Sequence, residues 1–82
     1  MWFVYILECS DGSLYTGSSN NLEKRFLEHK KGKGGHYTRS HKPIRIVYKE
    51  KLKTKSQALK REDEIKKLKR AEKIKNLNLN SA

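Results

Sequence analysis

A single cysteine, Cys9, stands in 82 residues, so no intramolecular disulfide can staple the fold. That scarcity points to a reducing compartment and to folding by packing alone. Long hydrophobic runs are missing too. The apolar start Trp2–Leu7 falls far short of the roughly 20 residues a membrane-spanning helix needs. It lacks both the basic lead and the small-residue cleavage site of a secretion signal, so a cytoplasmic protein without a membrane partner is expected. The glycine-rich stretch Gly32-Lys33-Gly34-Gly35 has neither the P-loop nor the dinucleotide-binding spacing. One cysteine and three histidines at irregular intervals make no zinc site. There is no internal repeat and no internal domain boundary.

Acidic residues are scarce as well, 9 Asp+Glu against 20 Lys+Arg, for a net charge of +11. Residues 1–20 carry −2 and residues 21–82 carry +13, and between His29 and Lys49 no acidic residue occurs. A surplus of this sign favours a polyanionic partner, DNA first and RNA as the alternative. The plainer reading is a solvated lysine-rich surface. The length suits one domain over residues 1–77 with a frayed tail at 78–82, expected as a monomer. So short a chain buries only about 60–65% of its unfolded surface, so its core has to be compact.

Trp2–Glu8 reads as a buried strand and Leu14–Gly17 as its returning partner, with Ser10-Asp11-Gly12 as the turn. A two-residue turn would put Tyr5 and Tyr15 on opposite faces. A three-residue loop with Gly12 left-handed pairs Tyr5 with Gly17 and Leu7 with Tyr15, so both tyrosines share a face. A helix follows to about Lys31, capped by Asn20 with Glu23 as its capping-box partner, and burying Leu22 and Phe26. Arg25 and His29, four residues apart, lie on one side of it. Residues 32–43 form a loop that Pro43 closes, and Ile44–Tyr48 is a third strand. Thr54 and Gln57 open a second capping box for a helix through Leu68, whose apolar face is Ala58, Leu59, Ile65 and Leu68. The apolar spacing then drifts through Ala71, Ile74 and Leu77, which predicts a break near Lys69-Arg70 and another short helix. The fold class is therefore α+β: a small three-stranded antiparallel sheet flanked by helices, in the order β-β-α-β-α-α.

Glu62 falls inside the apolar arc of that helix, about 60° from both Leu59 and Ile65, whereas Asp63 and Glu64 fall outside it. A carboxylate among aliphatic neighbours needs a cation, a metal or hydrogen-bond donors. The bland alternative is a rim glutamate paired to a lysine. Arg25 can hold a phosphate and His29 can move a proton near neutral pH. A tyrosine in a strand is by itself far more often core than site. One such carboxylate is too few for a two-metal centre.

Phe3-Val4-Tyr5, then Tyr15-Thr16-Gly17, then LEKRFLEH over Leu22–His29, then ALKRE over Ala58–Glu62 resembles the GIY-YIG nuclease superfamily. The resemblance is strongest to its small stand-alone bacterial branch and covers about residues 2–77. It implies a metal-dependent endonuclease that hydrolyses DNA phosphodiester bonds. In that likeness Tyr5 and Tyr15 activate or position the attacking water, and Arg25 stabilises charge on the phosphate and leaving oxygen. His29 matches a histidine found four residues after that arginine in some members, and Glu62 matches the carboxylate that holds one Mg²⁺ or Mn²⁺. The resemblance also makes a structure-specific role in DNA repair or recombination an expectation. Gly17 would let a phosphate approach, and the backbone contacts would fall to Lys30, Lys31, Lys33, His36, Arg39 and Lys42, with the helical face 66–75 beside them. Phe3, Val4 and Thr16 depart from the family's tripeptides without touching the reactive groups. The C-terminal asparagine that some members place in the site has no firm match among Asn76, Asn78 and Asn80. The rival from another class is a nucleic-acid-binding module that keeps the fold without cleavage.

Overall fold

The computed structural model describes residues 1–33 and 41–77. The chain runs β1 (Trp2–Cys9), β2 (Leu14–Ser19), α1 (Leu22–Lys30), β3 (Pro43–Leu52), α2 (Lys55–Lys66) and α3 (Arg70–Asn76). The strands form one antiparallel sheet in the spatial order β2-β1-β3. The α+β architecture read from the sequence is the one observed.

Central β1 is covered on both faces, and this explains its uninterrupted apolar reading. On one face Val4 and Ile6 close a core with Ala58 and Ile65 of α2, joined at its edges by Trp2, Leu14, Leu52, Ile74 and Leu77. On the other face Tyr5, Leu7 and Cys9 are equally buried. There the aromatic ends of β1 and β2 meet α1. The sheet thus separates an aliphatic layer beneath α2 and α3 from an aromatic layer beneath α1.

The β1–β2 hairpin has the three-residue loop that the tyrosine geometry requires. The Cys9 amide donates to the Ser13 carbonyl at 2.9 Å and the Gly12 amide to the Cys9 carbonyl at 2.9 Å. Gly12 sits at φ 85°, a left-handed conformation that a residue with a side chain resists. Asp11 holds the turn by accepting from the Ser13 amide and hydroxyl. Tyr5 consequently faces Gly17, and Leu7 faces Tyr15.

Several boundaries differ from the sequence reading. β2 continues to Ser19, because Phe3 and Val4 provide partners for Ser19 and Ser18. That continuation moves the α1 cap from Asn20 to Asn21, whose side chain accepts from the Lys24 amide, so the Asn20–Glu23 capping box does not form. Leu22 and Phe26 are only half-buried, and the fully buried residue of α1 is His29. Thr54 does cap α2, but that helix ends at Lys66 rather than Leu68. The Leu68 amide then bonds the Ile65 carbonyl, and α3 begins at Arg70, at the expected break. Leu59 is 49% exposed rather than part of the apolar face. The buried axis of α2 runs through Ala58 and Ile65, which lie about 20° apart on the wheel. Leu59 is about 100° from Ala58, whereas Glu62 is only about 40° away. The expected tail at 78–82 lies outside the described residues.

Candidate active site

The aromatic layer gathers its polar groups around one atom. The Tyr5 hydroxyl lies 2.9 Å from Nε2 of His29, both side chains being buried. The rings of Tyr5 and Tyr15 are 6.5 Å apart, and that of Tyr15 stands edge-on to His29 at 5.0 Å. Arg25, one turn before His29 on α1, acts on the Tyr5 hydroxyl with its positive charge as well as reaching Glu28 at 3.4 Å. A single helix face therefore delivers a guanidinium and an imidazole to the same phenol, as the i, i+4 spacing requires.

Gly17 makes this placement possible. A Cβ at that position would stand 2.6 Å from the Tyr5 oxygen and 3.1 Å from the Tyr15 ring. Any side chain would thus push the two tyrosines apart. The space expected to admit a phosphate at Gly17 is the space that the Tyr5 hydroxyl occupies.

The electrostatics of this layer are dominated by burial. Desolvation, reinforced by Tyr15, pushes the Tyr5 hydroxyl up to about 12, against the opposing pull of Arg25. Desolvation and the Arg25 charge press the His29 imidazole down to about 4. At neutral pH both groups are uncharged. Arg25 is the cation of the layer.

Glu62 reaches the same region from the opposite face, around the open edge at β2. Its Oε1 accepts from the Ser18 hydroxyl at 2.5 Å, and its Oε2 meets Lys66 Nζ at 2.6 Å. Its side chain is 17% exposed. Its negative charge adds, as the least of the causes, to the raised pKa of Tyr5. Lys73 of α3 is buried and donates to the Thr16 hydroxyl at 3.1 Å. Burial, and then Lys66, lower its pKa.

Among the described residues no group of three or more His, Cys, Asp and Glu side chains gathers as a metal cage. Glu62 alone still suits a hard cation of the Mg²⁺ type, which keeps several waters and completes its shell with substrate phosphate oxygens. The donor set fits such an ion arriving with its substrate better than one held permanently.

Of the other residues singled out by sequence, Lys31, Lys33 and Lys42 are exposed, and exposed Lys30 places its ammonium over the Phe26 ring. His36 and Arg39 lie outside the described residues. The sequence reading did not connect Ser18 or Lys73 to the site. Ser18 meets Glu62 only through the docking of α2 on β2, and nothing local signals that. Lys66, in the helical face expected to contact phosphate, pairs with Glu62 at i, i+4, which is the alternative of a glutamate paired to a lysine.

The aromatic pair, the helix-borne Arg25 and His29, and the glutamate across the sheet edge recur in order within one compact domain, and the GIY-YIG catalytic domain profile matches residues 1–77. The chain belongs to the GIY-YIG family. It is 49% identical over 73 residues to a UPF0213 protein of Staphylococcus saprophyticus, covering 89% of each chain. A UPF0213 protein of Cupriavidus necator is 52% identical over 67 residues, 82% of this chain and 73% of the relative. The solution NMR structure of a UPF0213 protein of Bacillus halodurans shares the fold with a TM-score of 0.60 and 40% identity. The match covers 95% of this chain and 84% of that one. Membership implies a nuclease-type domain with nucleic acid as its partner. No helix of the described residues is long and apolar enough to cross a membrane.

Proposed function

We propose that this chain is an endonuclease that hydrolyses DNA phosphodiester bonds at the site formed by Tyr5, Tyr15, Arg25, His29 and Glu62, with one Mg²⁺ or Mn²⁺. The observation that carries the reading is the shared hydroxyl: Tyr5 lies 2.9 Å from His29, and the charges of Arg25 and Glu62 both act on it. A purely structural tyrosine does not need a guanidinium, an imidazole and a carboxylate at once.

The residues suggest their own division of labour. Tyrosinate is inaccessible at neutral pH with the hydroxyl pushed up to about 12, so Tyr5 acts as a relay rather than a preformed base. In the Nδ1–H tautomer His29 Nε2 accepts the Tyr5 hydrogen. As a water attacks phosphorus in line, its proton passes to the Tyr5 oxygen while the Tyr5 proton moves to His29. Arg25 stays charged throughout and offsets the negative charge that develops on the phosphate. The phosphate's negative charge beside His29 also favours its protonated form. Tyr15 packs on both partners and holds their geometry. Glu62 would hold the metal, which when bound polarises the scissile phosphate and stabilises the leaving oxygen. Lys30, Lys31, Lys33 and Lys42, with His36 and Arg39, supply phosphate contacts that position DNA without reading its sequence.

The test incubates the protein with branched, nicked, single- and double-stranded DNA in Mg²⁺ or Mn²⁺, beside Glu62→Ala and Arg25→Ala. Cleavage by the parent, reduced at least about 100-fold in each variant, is expected for loss of a charge-stabilising group. Cleavage unchanged in both variants would remove the assigned site. Binding by the parent without cleavage, across metals and substrates, would instead make the chain a nucleic-acid-binding module.

A further inference from the structure

The carboxylate assigned to the metal is already engaged. Lys66 Nζ lies 2.6 Å from Glu62 Oε2, and Ser18 caps Oε1, so both oxygens of Glu62 have partners. The geometry is that of an ammonium seated where a cation would bind. Lys73 lies close enough to sense Lys66, and its buried side chain adds a second amine to the same corner. A divalent ion entering alone would have to displace Lys66 and then face both lysines. A phosphate changes that balance, because it offers Lys66 another anion and offers the metal further oxygen ligands.

We propose that Lys66 is the resident counter-cation of the Glu62 metal seat, and that a DNA phosphate draws it away so that metal and DNA bind cooperatively. This rests on the assignment of Glu62 to the metal. Lys66 suits the task because its side chain is 51% exposed while Glu62 is 17% exposed, so the ammonium can leave and the carboxylate stays. Coupling of this kind is reciprocal: whatever factor DNA adds to metal affinity, the metal adds to DNA affinity.

Mg²⁺ titrations of the full chain, followed by amide NMR shifts at Ser18 and Glu62, separate the possibilities. They are run with and without a short phosphorothioate duplex that resists hydrolysis. Parent, Lys66→Met, Lys66→Gln and Lys67→Met are compared. The last removes an equal charge from the C-cap of the same helix, where Lys67 pairs with Asp63 instead. Without DNA, both Lys66 variants are expected to bind Mg²⁺ several-fold more tightly than the parent, and Lys67→Met to resemble the parent. Adding the duplex should tighten Mg²⁺ binding several-fold in the parent and in Lys67→Met, and much less in the Lys66 variants. Equal Mg²⁺ affinity in all four chains, with shifts still centred on Glu62, would overturn the role of Lys66 and leave the metal assignment standing. Absence of Mg²⁺-dependent shifts at Glu62 in every chain, with or without duplex, would overturn the metal assignment itself and the role of Lys66 with it.

Discussion

His29 is the residue whose environment departs furthest from its chemistry in water. It is fully buried and carries its imidazole hydrogen-bonded to Tyr5, with a pKa pressed from 6.5 to about 4 by burial and by Arg25. A base whose folded pKa is depressed binds fewer protons folded than unfolded between the two values, so stability rises with pH there. The His29 contribution is thus complete above pH 6.5, shrinks as the pH falls through the window, and is spent below about 4. Its size is on the order of 3 kcal/mol at full extent. Denaturant melts of the parent and of His29→Gln between pH 4 and 7 should show this part of the pH dependence only in the parent. Parallel curves for the two proteins would mean that His29 is solvated. Gly17 belongs to the same scale: its missing side chain is what lets the tyrosine hydroxyl reach the imidazole.

Helix α1 illustrates how an element boundary is decided. Asn20 and Asn21 are both good cap residues, and local propensity barely separates them. Pairing of β2 out to Ser19 settles the choice, leaving Asn21 to accept the Lys24 amide, while the Ser19 hydroxyl bonds the Asn21 backbone. Asn21→Ala should therefore cost about 1 kcal/mol of stability, and Asn20→Ala should stay within about 0.5 kcal/mol of the parent. Equal losses in urea melts would mean that the cap is shared. The placement has a functional consequence, because the start of α1 fixes the rotation that turns both Arg25 and His29 towards Tyr5. Helix α3 is fixed differently. Arg70 donates to the Gly12 carbonyl at 3.0 Å and Lys73 to Thr16, so the last helix is tied to the hairpin that carries both tyrosines.

Across the whole molecule, the positive charge lies in the part of the chain that follows the first hairpin, whereas residues 1–20 are slightly acidic. Lys30, Lys31, Lys33 and Lys42 are exposed, and Lys66 reaches the β2 edge through Glu62 and Ser18. Binding to duplex DNA should therefore be governed by phosphates and depend steeply on salt, since each neutralised phosphate adds about 0.9 to the log–log slope. Anisotropy titrations over a range of ionic strength check this. Replacing Lys30 and Lys31 together with Ala should lower the slope by up to about 2, with equal effect on unrelated sequences. A slope unchanged by the double substitution would place the DNA elsewhere.

The sequence by itself determined the strands and the two-helix finish, because these rest on side-chain periodicity and turn chemistry within a few residues of one another, whereas the choice between a two- and a three-residue hairpin was made by the strand register, which pairs Tyr5 with Gly17. It also isolated Glu62, since an α-helical wheel needs no tertiary information, and the order of the four motifs pointed to the family. Tertiary structure decided what is close to what across elements. The cap of α1 followed from strand pairing, the exposure of Leu59 from where α2 sits on the sheet, and the burial of His29 from an aromatic layer that α1 alone does not predict. The partners of Glu62 divide along the same line: Lys66 is four residues away on one helix and follows from helical geometry, whereas Ser18 is brought there only by packing α2 against the sheet edge.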